Sequence, residues 1–134
     1  MNILKCNEHG SYLSLVQAVL ARSEVSKECC YRAGQAANDG ASFLNGLHAK
    51  RPQVMPNIYF SEDGSLVMEY ITSAGSALIM LYGDQTIAYT IKTTERFYLS
   101  IQEFALNTQI PEKLSLILYP MTSQIFDTIK CELY

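Results

Sequence analysis

The sequence predicts an α+β fold: an N-terminal helical pair packed on a three- to five-stranded antiparallel sheet (a meander), with C-terminal helices. Before residue 52, apolar residues recur every three or four positions, which is the spacing of a buried helix face. Beyond two prolines the pattern changes to short apolar runs separated by turn residues. A length of 134 residues suits one core. We therefore expect a single domain, 1–134, with a helical part at 1–52 and the sheet and C-terminal helices at 53–134.

The first helix is predicted to begin at Ser11, whose side chain can cap the free backbone N–H groups of the first turn. Its apolar positions fall on one face, so that face needs to be covered by another element. These positions are Tyr12, Leu13, Val16, Val19 and Leu20.

A second helix is predicted within residues 23–50, with Ser23 or Ser26 as its cap. Nearly all residues in the middle of its buried stripe have small side chains, so another element can approach the helix backbone closely there. The stripe comprises Val25, Cys29, Ala33, Ala36, Gly40, Phe43, Leu44 and Leu47. Because a helical glycine costs about 1 kcal/mol, a break near Asp39-Gly40 is an alternative to one continuous helix.

Pro52 and Pro56 mark a linker, since proline restricts its own backbone and that of the preceding residue. Four strands follow, in the runs NIYF, SLVMEYI, ALIMLY and QTIAYTIK. Asp63-Gly64 is expected to supply the positive-φ positions of a tight hairpin between the first two strands. In the fourth run Ile87, Tyr89 and Ile91 alternate with smaller or polar residues, which predicts a sheet with one buried face.

In the last third of the sequence, the pattern distinguishes helix from strand less clearly. The run ERFYLSIQEF fits either a fifth strand or a helix. Pro111 favours a helix start, although Leu114, Leu116 and Leu118 also have the alternation of a strand. We predict a helix there, ended or kinked by Pro120, and a second helical face within TSQIFDTIKCELY.

One stretch combines a helix ending in A-x-x-F-L-x-x-L, a proline-bearing linker, and then P-x-I-x-x-S-x-D-G-S-L-x-x-E-[WY]. The combination is carried by Ala41, Phe43, Leu44 and Leu47, then by Pro56, Ile58, Ser61, Asp63, Gly64, Ser65, Leu66, Glu69 and Tyr70. It resembles a pattern found in small, mostly uncharacterised bacterial and phage-associated proteins. The similarity covers about a quarter of the chain, and Tyr70 stands where tryptophan is frequent in that pattern. It implies the helix-to-hairpin architecture and a prokaryotic or phage origin, and it implies no site.

Composition points to a folded protein of the cytoplasm. Hydrophobic residues make up 49% and charged residues 17% of the chain, too apolar for a disordered tail. No apolar run approaches the roughly 20 residues that cross a bilayer, and the start MNILKCNEHG lacks the features of a signal peptide. Without an export signal, the four cysteines are expected to be reduced thiols.

The charge is distributed unevenly along the chain. Residues 1–52 carry six basic and four acidic side chains, a net charge of +2, whereas residues 53–134 carry four basic and nine acidic ones, a net charge of −5. Neither half contains a dense run of one sign, so we expect neither direct nucleic-acid binding nor a mimic of nucleic acid. The acidic half instead favours a protein partner with a basic surface.

No residue pattern signals a catalytic centre, a cofactor or a metal. Cys6 and His9 form one C-x-x-H pair, but a zinc site needs two more ligands, which Cys29, Cys30 or His48 would have to supply. A Ser-His-Asp or Cys-His arrangement has only two histidines to draw on, and neither lies in a family signature. We therefore assign no catalytic, cofactor-binding or metal-binding residue.

The sequence favours a non-enzymatic protein-binding module, plausible as a phage or mobile-element inhibitor such as an anti-CRISPR, antitoxin or immunity protein. The predicted partner-binding residues are acidic side chains around sheet tyrosines: Glu62, Asp63, Asp84, Glu95, Tyr70 and Tyr82. The alternative is a small enzyme with an unrecognised acid or thiol site. That alternative requires a deep pocket gathering two or more of His9, His48, Cys30, Glu69 and Asp63. The sequence leaves homo-oligomerisation open.

Overall fold

The structure, a computed structural model, describes residues 11–50, 55–93 and 98–119. Across these ranges it has an α+β fold with a five-stranded antiparallel sheet in the order β1-β2-β3-β4-β5, which confirms the predicted class. The elements are α1 Ser11–Ala21, a 3-10 helix Lys27–Cys29, α2 Cys30–Lys50, β1 Asn57–Phe60, β2 Leu66–Thr72, β3 Gly75–Leu81, β4 Thr86–Thr93, β5 Tyr98–Ala105 and α3 Glu112–Leu118.

The sheet is a simple meander in which each strand pairs with the next along the chain. The ambiguous run ERFYLSIQEF contributes β5, which pairs with β4. Tyr89 pairs with Gln102 and Ile91 pairs with Leu99, so two residues of β5 lie opposite the single residue Thr90. This is a β-bulge, which raises the local twist of an edge strand.

The predicted first helix is present as α1, which the structure describes from Ser11 to Ala21, and Tyr12 and Val16 on its apolar face are buried. Helix α2 continues from the 3-10 turn, for which Ser26 is the N-terminal flanking residue without a side-chain capping bond. It runs unbroken from Cys30 to Lys50, so the alternative of a break near Asp39-Gly40 is wrong. Tertiary packing outweighs the local propensity cost of the helical glycine.

The predicted inner stripe of α2 lies on the sheet. Ala33, Ala36 and Leu44 are at most 1% exposed, and Gly40 lies so close to β2 that a Cβ at this position would overlap the side chain of Leu66. The small residues let the helix approach the sheet closely, as the sequence predicted. The central strands supply the other side of the core with alternate residues: Leu66, Met68, Tyr70, Ala77, Ile79, Leu81, Ile87, Tyr89 and Ile91.

Helix α3 packs on the same core as α1 and α2. It starts at Glu112 after Pro111 as predicted, and Leu114, Ile117 and Leu118 are buried. The hydroxyl of Thr72 donates to the carbonyl of Ile117 at 3.0 Å, which fixes α3 to the β2–β3 turn. The predicted second C-terminal helix lies outside the described residues, as do residues 51–54 of the linker. No helix in the described ranges is long and apolar enough to cross a membrane.

Candidate functional site

The loop between β1 and β2 (residues 61–65) is a turn closed by two backbone hydrogen bonds. The N–H of Gly64 donates to the carbonyl of Ser61 at 3.0 Å, and the N–H of Ser61 donates to the carbonyl of Ser65 at 2.9 Å. Gly64 has a φ of +90°, whereas Asp63 does not have a positive φ, so the prediction that both residues adopt positive φ is wrong for Asp63. The carboxylate of Asp63 instead holds the turn by accepting a hydrogen bond from the N–H of Ser65 at 3.0 Å.

The β1–β2 loop packs on the start of the second helical segment. The N–H of Ser26 donates to the carbonyl of Glu62 at 3.0 Å. A Cβ at Gly64 would lie 2.8 Å from the carbonyl oxygen of Cys29 and 3.3 Å from the nitrogen of Ala33. The conspicuous DG turn of the sequence is therefore a docking contact between the sheet and α2, and glycine is required there for space as well as for φ.

The loop between β3 and β4 (residues 82–85) packs on the same helix. Gly83, with φ +86°, lies where a Cβ would be 2.9 Å from the carbonyl oxygen of Arg32. Asp39 of α2 accepts a hydrogen bond from the N–H of Gln85 at 2.8 Å, and the carboxylate is only 8% exposed. Sequence analysis missed this role of Asp39, because residues 39 and 85 become neighbours only when helix and sheet pack together.

The two loops leave the sheet at the same end, since Leu81 pairs with both Leu66 and Ile87. This arrangement brings three of the predicted partner-binding residues to one end of the molecule, and all three are exposed: Glu62, Asp63 and Asp84. We call these two loops the acidic end. Two exposed cations, Lys27 and Arg32, lie on the helical segment against which the loops pack.

The carboxylates of the acidic end also stabilise their own turns. Asp84 accepts a hydrogen bond from the N–H of Thr86 at 3.0 Å. The pKa of Asp63 is lowered, first by the hydrogen bond that the Ser61 hydroxyl donates, then by the hydrogen bond from the N–H of Ser65, and least by the charge of Arg32. Asp63 therefore remains ionised near neutral pH while it holds the backbone of its turn.

Of the remaining predicted residues, only Tyr82 lies at the acidic end. Tyr70 is 0% exposed and lies in the core, where burial raises the pKa of its hydroxyl. Tyr82 is half-buried and lies two positions before Asp84 in the sequence. Its hydroxyl lies 3.8 Å from the sulfur of Met80. Glu95 lies outside the described residues. Of the tyrosines named, only Tyr82 is thus placed to contact a partner at this end.

A cleft of about 190 Å³ lies between α2, β5 and the segment that joins β5 to α3. Its walls are mostly apolar, and its rim is polar where the hydroxyl of Ser42 donates to the side chain of Asn107 at 3.4 Å. The lining residues are Ser42, Phe43, Gly46, Leu47, Phe104, Leu106, Asn107, Thr108 and Ile110. We call this the edge cleft, because Phe104 belongs to the edge strand β5.

The edge cleft gathers none of the residues on which the enzyme alternative relied. His48, Cys30, Glu69 and Asp63 are absent from its walls, and His9 and Cys6 lie outside the described residues. Within the described ranges no three side chains among His, Cys, Asp and Glu lie close enough together to hold a metal ion. Comparisons with protein families, with curated proteins and with solved structures find no match to this chain.

Proposed function

We propose that this protein is a non-enzymatic protein-binding module whose acidic end contacts a basic surface of its partner. The observation that carries the proposal is that Glu62 and Asp63 on one loop and Asp84 on the other are all exposed at the same end of the sheet. Complementary charges of this kind speed encounter and fix orientation more than they raise affinity.

Rigidity of the two loops supports this proposal. Both are fixed to α2 by backbone contacts at Gly64 and Gly83, and both are cross-linked by carboxylate hydrogen bonds. A surface that is already ordered loses little conformational entropy when it binds. Glu62, whose side chain is not needed for the turn bonds described above, and the half-buried ring of Tyr82 are therefore the residues expected to act chiefly in recognition.

The biological setting belongs to the same proposal. A phage or mobile-element inhibitor, such as an anti-CRISPR, antitoxin or immunity protein acting in a bacterial cytoplasm, would act by stoichiometric contact and would need no catalytic residues. This part rests on the sequence resemblance and on the charge of the 53–134 half.

The test begins with recovery of partners from the native host by tagged full-length protein, followed by kinetics with the purified partner. For the wild type we expect the association rate to fall as salt concentration rises, because screening weakens attraction between exposed charges. Glu62→Lys should slow association about tenfold at low salt and leave the thermal unfolding midpoint unchanged. Tyr82→Ala should mainly speed dissociation.

A matched control is Glu112→Lys, which makes the same charge reversal at an exposed residue of α3. It should leave association unchanged. Equal effects of both reversals would indicate a response to net charge, and an association rate insensitive to salt would contradict the role of the acidic end. Turnover of a small molecule by substoichiometric protein would replace the proposal by the enzyme alternative.

A further inference from the structure

Strand β5 has one edge to which no strand in the described part of the chain is paired. Five of its residues are exposed: Ser100, Ile101, Gln102, Glu103 and Ala105. The large apolar residue Ile101 is 61% exposed. A free edge of this kind presents unpaired backbone donors and acceptors that another extended chain can bind.

The direction of the free backbone groups follows from the register. The N–H of Leu106 donates to the carbonyl of Gln85 at 2.8 Å, just beyond the pair formed by Thr86 and Ala105. Hydrogen-bonding direction alternates along an antiparallel strand, so the N–H groups of Glu103 and Ala105 point away from β4. The carbonyl of Ala105 on this side already accepts hydrogen bonds from the N–H and the hydroxyl of Thr108, at 3.3 and 2.6 Å. A further strand beyond the bulge can therefore pair with the N–H groups of Glu103 and Ala105 and with the carbonyl of Glu103.

The edge cleft lies beside this segment of β5. The ring of Phe104 lies 6.5 Å from the ring of Phe43 of α2, and both rings line the cleft. A cavity of about 150 Å³ is enough to bind benzene, so 190 Å³ accommodates one phenyl-sized group. The cleft is open on one side, which suits a side chain attached to a peptide better than a wholly enclosed small molecule.

Gly46 gives an independent reason to regard the cleft as a site. This glycine lies inside α2, where glycine is unfavourable, and no atom outside its own helix turn lies within 4 Å of the position that a Cβ would take. Neither close packing nor a positive φ requires glycine there. Gly46 is exposed and lines the edge cleft, so a side chain added at this position would project into the open space of the cleft.

We infer that the free edge of β5 and the edge cleft together bind an extended, basic peptide segment of a partner protein, which adds to β5 as a sixth strand and inserts one apolar side chain of leucine or phenylalanine size into the cleft. The inference rests on the proposed protein-binding function and names its partner segment. The basic character follows from Glu103 on the exposed edge and from Asp84 on the loop whose Gln85 bonds Leu106. Backbone pairing supplies affinity in such complexes, and the pocket supplies specificity.

The probe is a display library of linear nine-residue peptides selected on the full-length chain, with enriched peptides then synthesised and titrated by fluorescence anisotropy. Enriched sequences should share one leucine or aromatic residue with lysine or arginine nearby. Gly46→Leu should fill the cleft, weaken binding at least tenfold and raise the unfolding midpoint, because a helical glycine is replaced. Loss of binding in a more stable protein cannot be attributed to misfolding.

Gly34→Leu is the matched control, since Gly34 also lies inside α2 with no atom within 4 Å of a Cβ and does not line the cleft. It should raise the unfolding midpoint and leave peptide binding unchanged. Ala105→Pro removes an outward N–H without touching the bonds to β4 and should weaken binding at least tenfold, whereas Ala105→Ser, which keeps that N–H, should not.

Several results would overturn the inference: no enriched peptide, equal binding by the wild type and Gly46→Leu, or saturable binding of indole in the cleft without any peptide ligand. Self-association that Ala105→Pro abolishes would make the edge an interface between two copies and would equally overturn it. If Glu62→Lys weakens peptide binding and Gly46→Leu does not, the proposed role of the edge cleft is wrong and the proposed role of the acidic end is supported. If Gly46→Leu weakens peptide binding and Glu62→Lys does not, the role of the edge cleft is supported and that of the acidic end is wrong.

Discussion

Single residues at the two hairpin loops decide how the sheet meets α2. Gly64 combines a φ of +90° with a position against the backbone of Cys29 and Ala33. A side chain there would meet both a backbone conformation that L-residues avoid and atoms of a helix backbone that cannot rotate away. Two independent costs therefore fall on one substitution.

We expect Gly64→Val to lower the free energy of unfolding by more than about 1 kcal/mol, through backbone strain and the contact with Cys29. A urea titration followed by circular dichroism measures this change. Gly34→Ala, at a helical position with open space, should instead raise the free energy of unfolding by up to about 1 kcal/mol. Unchanged stability of the valine variant would contradict the turn geometry.

Asp63 should couple stability to acid pH. Hydrogen bonds from Ser61 and Ser65 place its pKa in the folded protein below the ordinary value of 3.8. A lowered pKa means that the unfolded chain binds more protons between the two values, so the stabilisation is present above pH 3.8 and is lost as the pH falls through the folded pKa.

The variant Asp63→Asn keeps an acceptor oxygen and removes the charge. At neutral pH it should be less stable than the wild type, and this difference should narrow as the pH is lowered below about 4. Unfolding midpoints measured in urea from pH 7 to pH 2.5 give the comparison. A difference that stays constant across that range would show that the carboxylate charge does not stabilise the turn.

At the level of elements, α2 organises the sheet through more than apolar contact. Its N-terminal half supports both hairpin loops, and Asp39 extends a carboxylate from its buried face to the backbone of Gln85. Gln85 itself has a φ of +65°, a conformation that a non-glycine residue adopts at a cost. The hydrogen bond that the N–H of Gln85 donates to Asp39 compensates for that cost and fixes the β3–β4 loop.

Asp39→Ala should therefore lower the free energy of unfolding by about 1–2 kcal/mol, since it leaves the N–H of Gln85 without this charged acceptor. The neighbouring change Asn38→Ala, at an exposed position of the same helix, should alter stability by less than about 0.5 kcal/mol. Denaturant titration of both variants measures the difference. Equal effects of the two substitutions would mean that the hydrogen bond between Asp39 and Gln85 makes no net contribution to the free energy of unfolding.

For the whole molecule, one apolar cluster joins the helices to the sheet. It includes Val16 of α1, Leu44 of α2, Ile79 of β3 and Leu118 of α3, each of them fully buried. The helices cover the apolar face of the sheet, and the sheet covers the apolar faces of the helices. Contacts of this kind make unfolding cooperative.

We accordingly expect thermal unfolding to be one transition, with the same midpoint in far-ultraviolet circular dichroism and in the near-ultraviolet signal of the buried tyrosines. Tyr12, Tyr70 and Tyr89 report on the core where helix and sheet meet. Two separated midpoints would show that the helical part and the sheet are distinct folding units.

The sequence by itself determined the type and approximate bounds of most elements, because helix and strand periodicity and the turn residues at Gly64 and Pro111 act locally. It also identified the small stripe of α2, since Ala33, Ala36 and Gly40 recur on one helical face. Tertiary structure alone decided that the part of ERFYLSIQEF from Tyr98 onward is a strand, because pairing with β4 outweighs its ambiguous pattern. It also buried Tyr70, joined Asp39 to Gln85 and formed the edge cleft, since these depend on residues distant in sequence that only packing brings together.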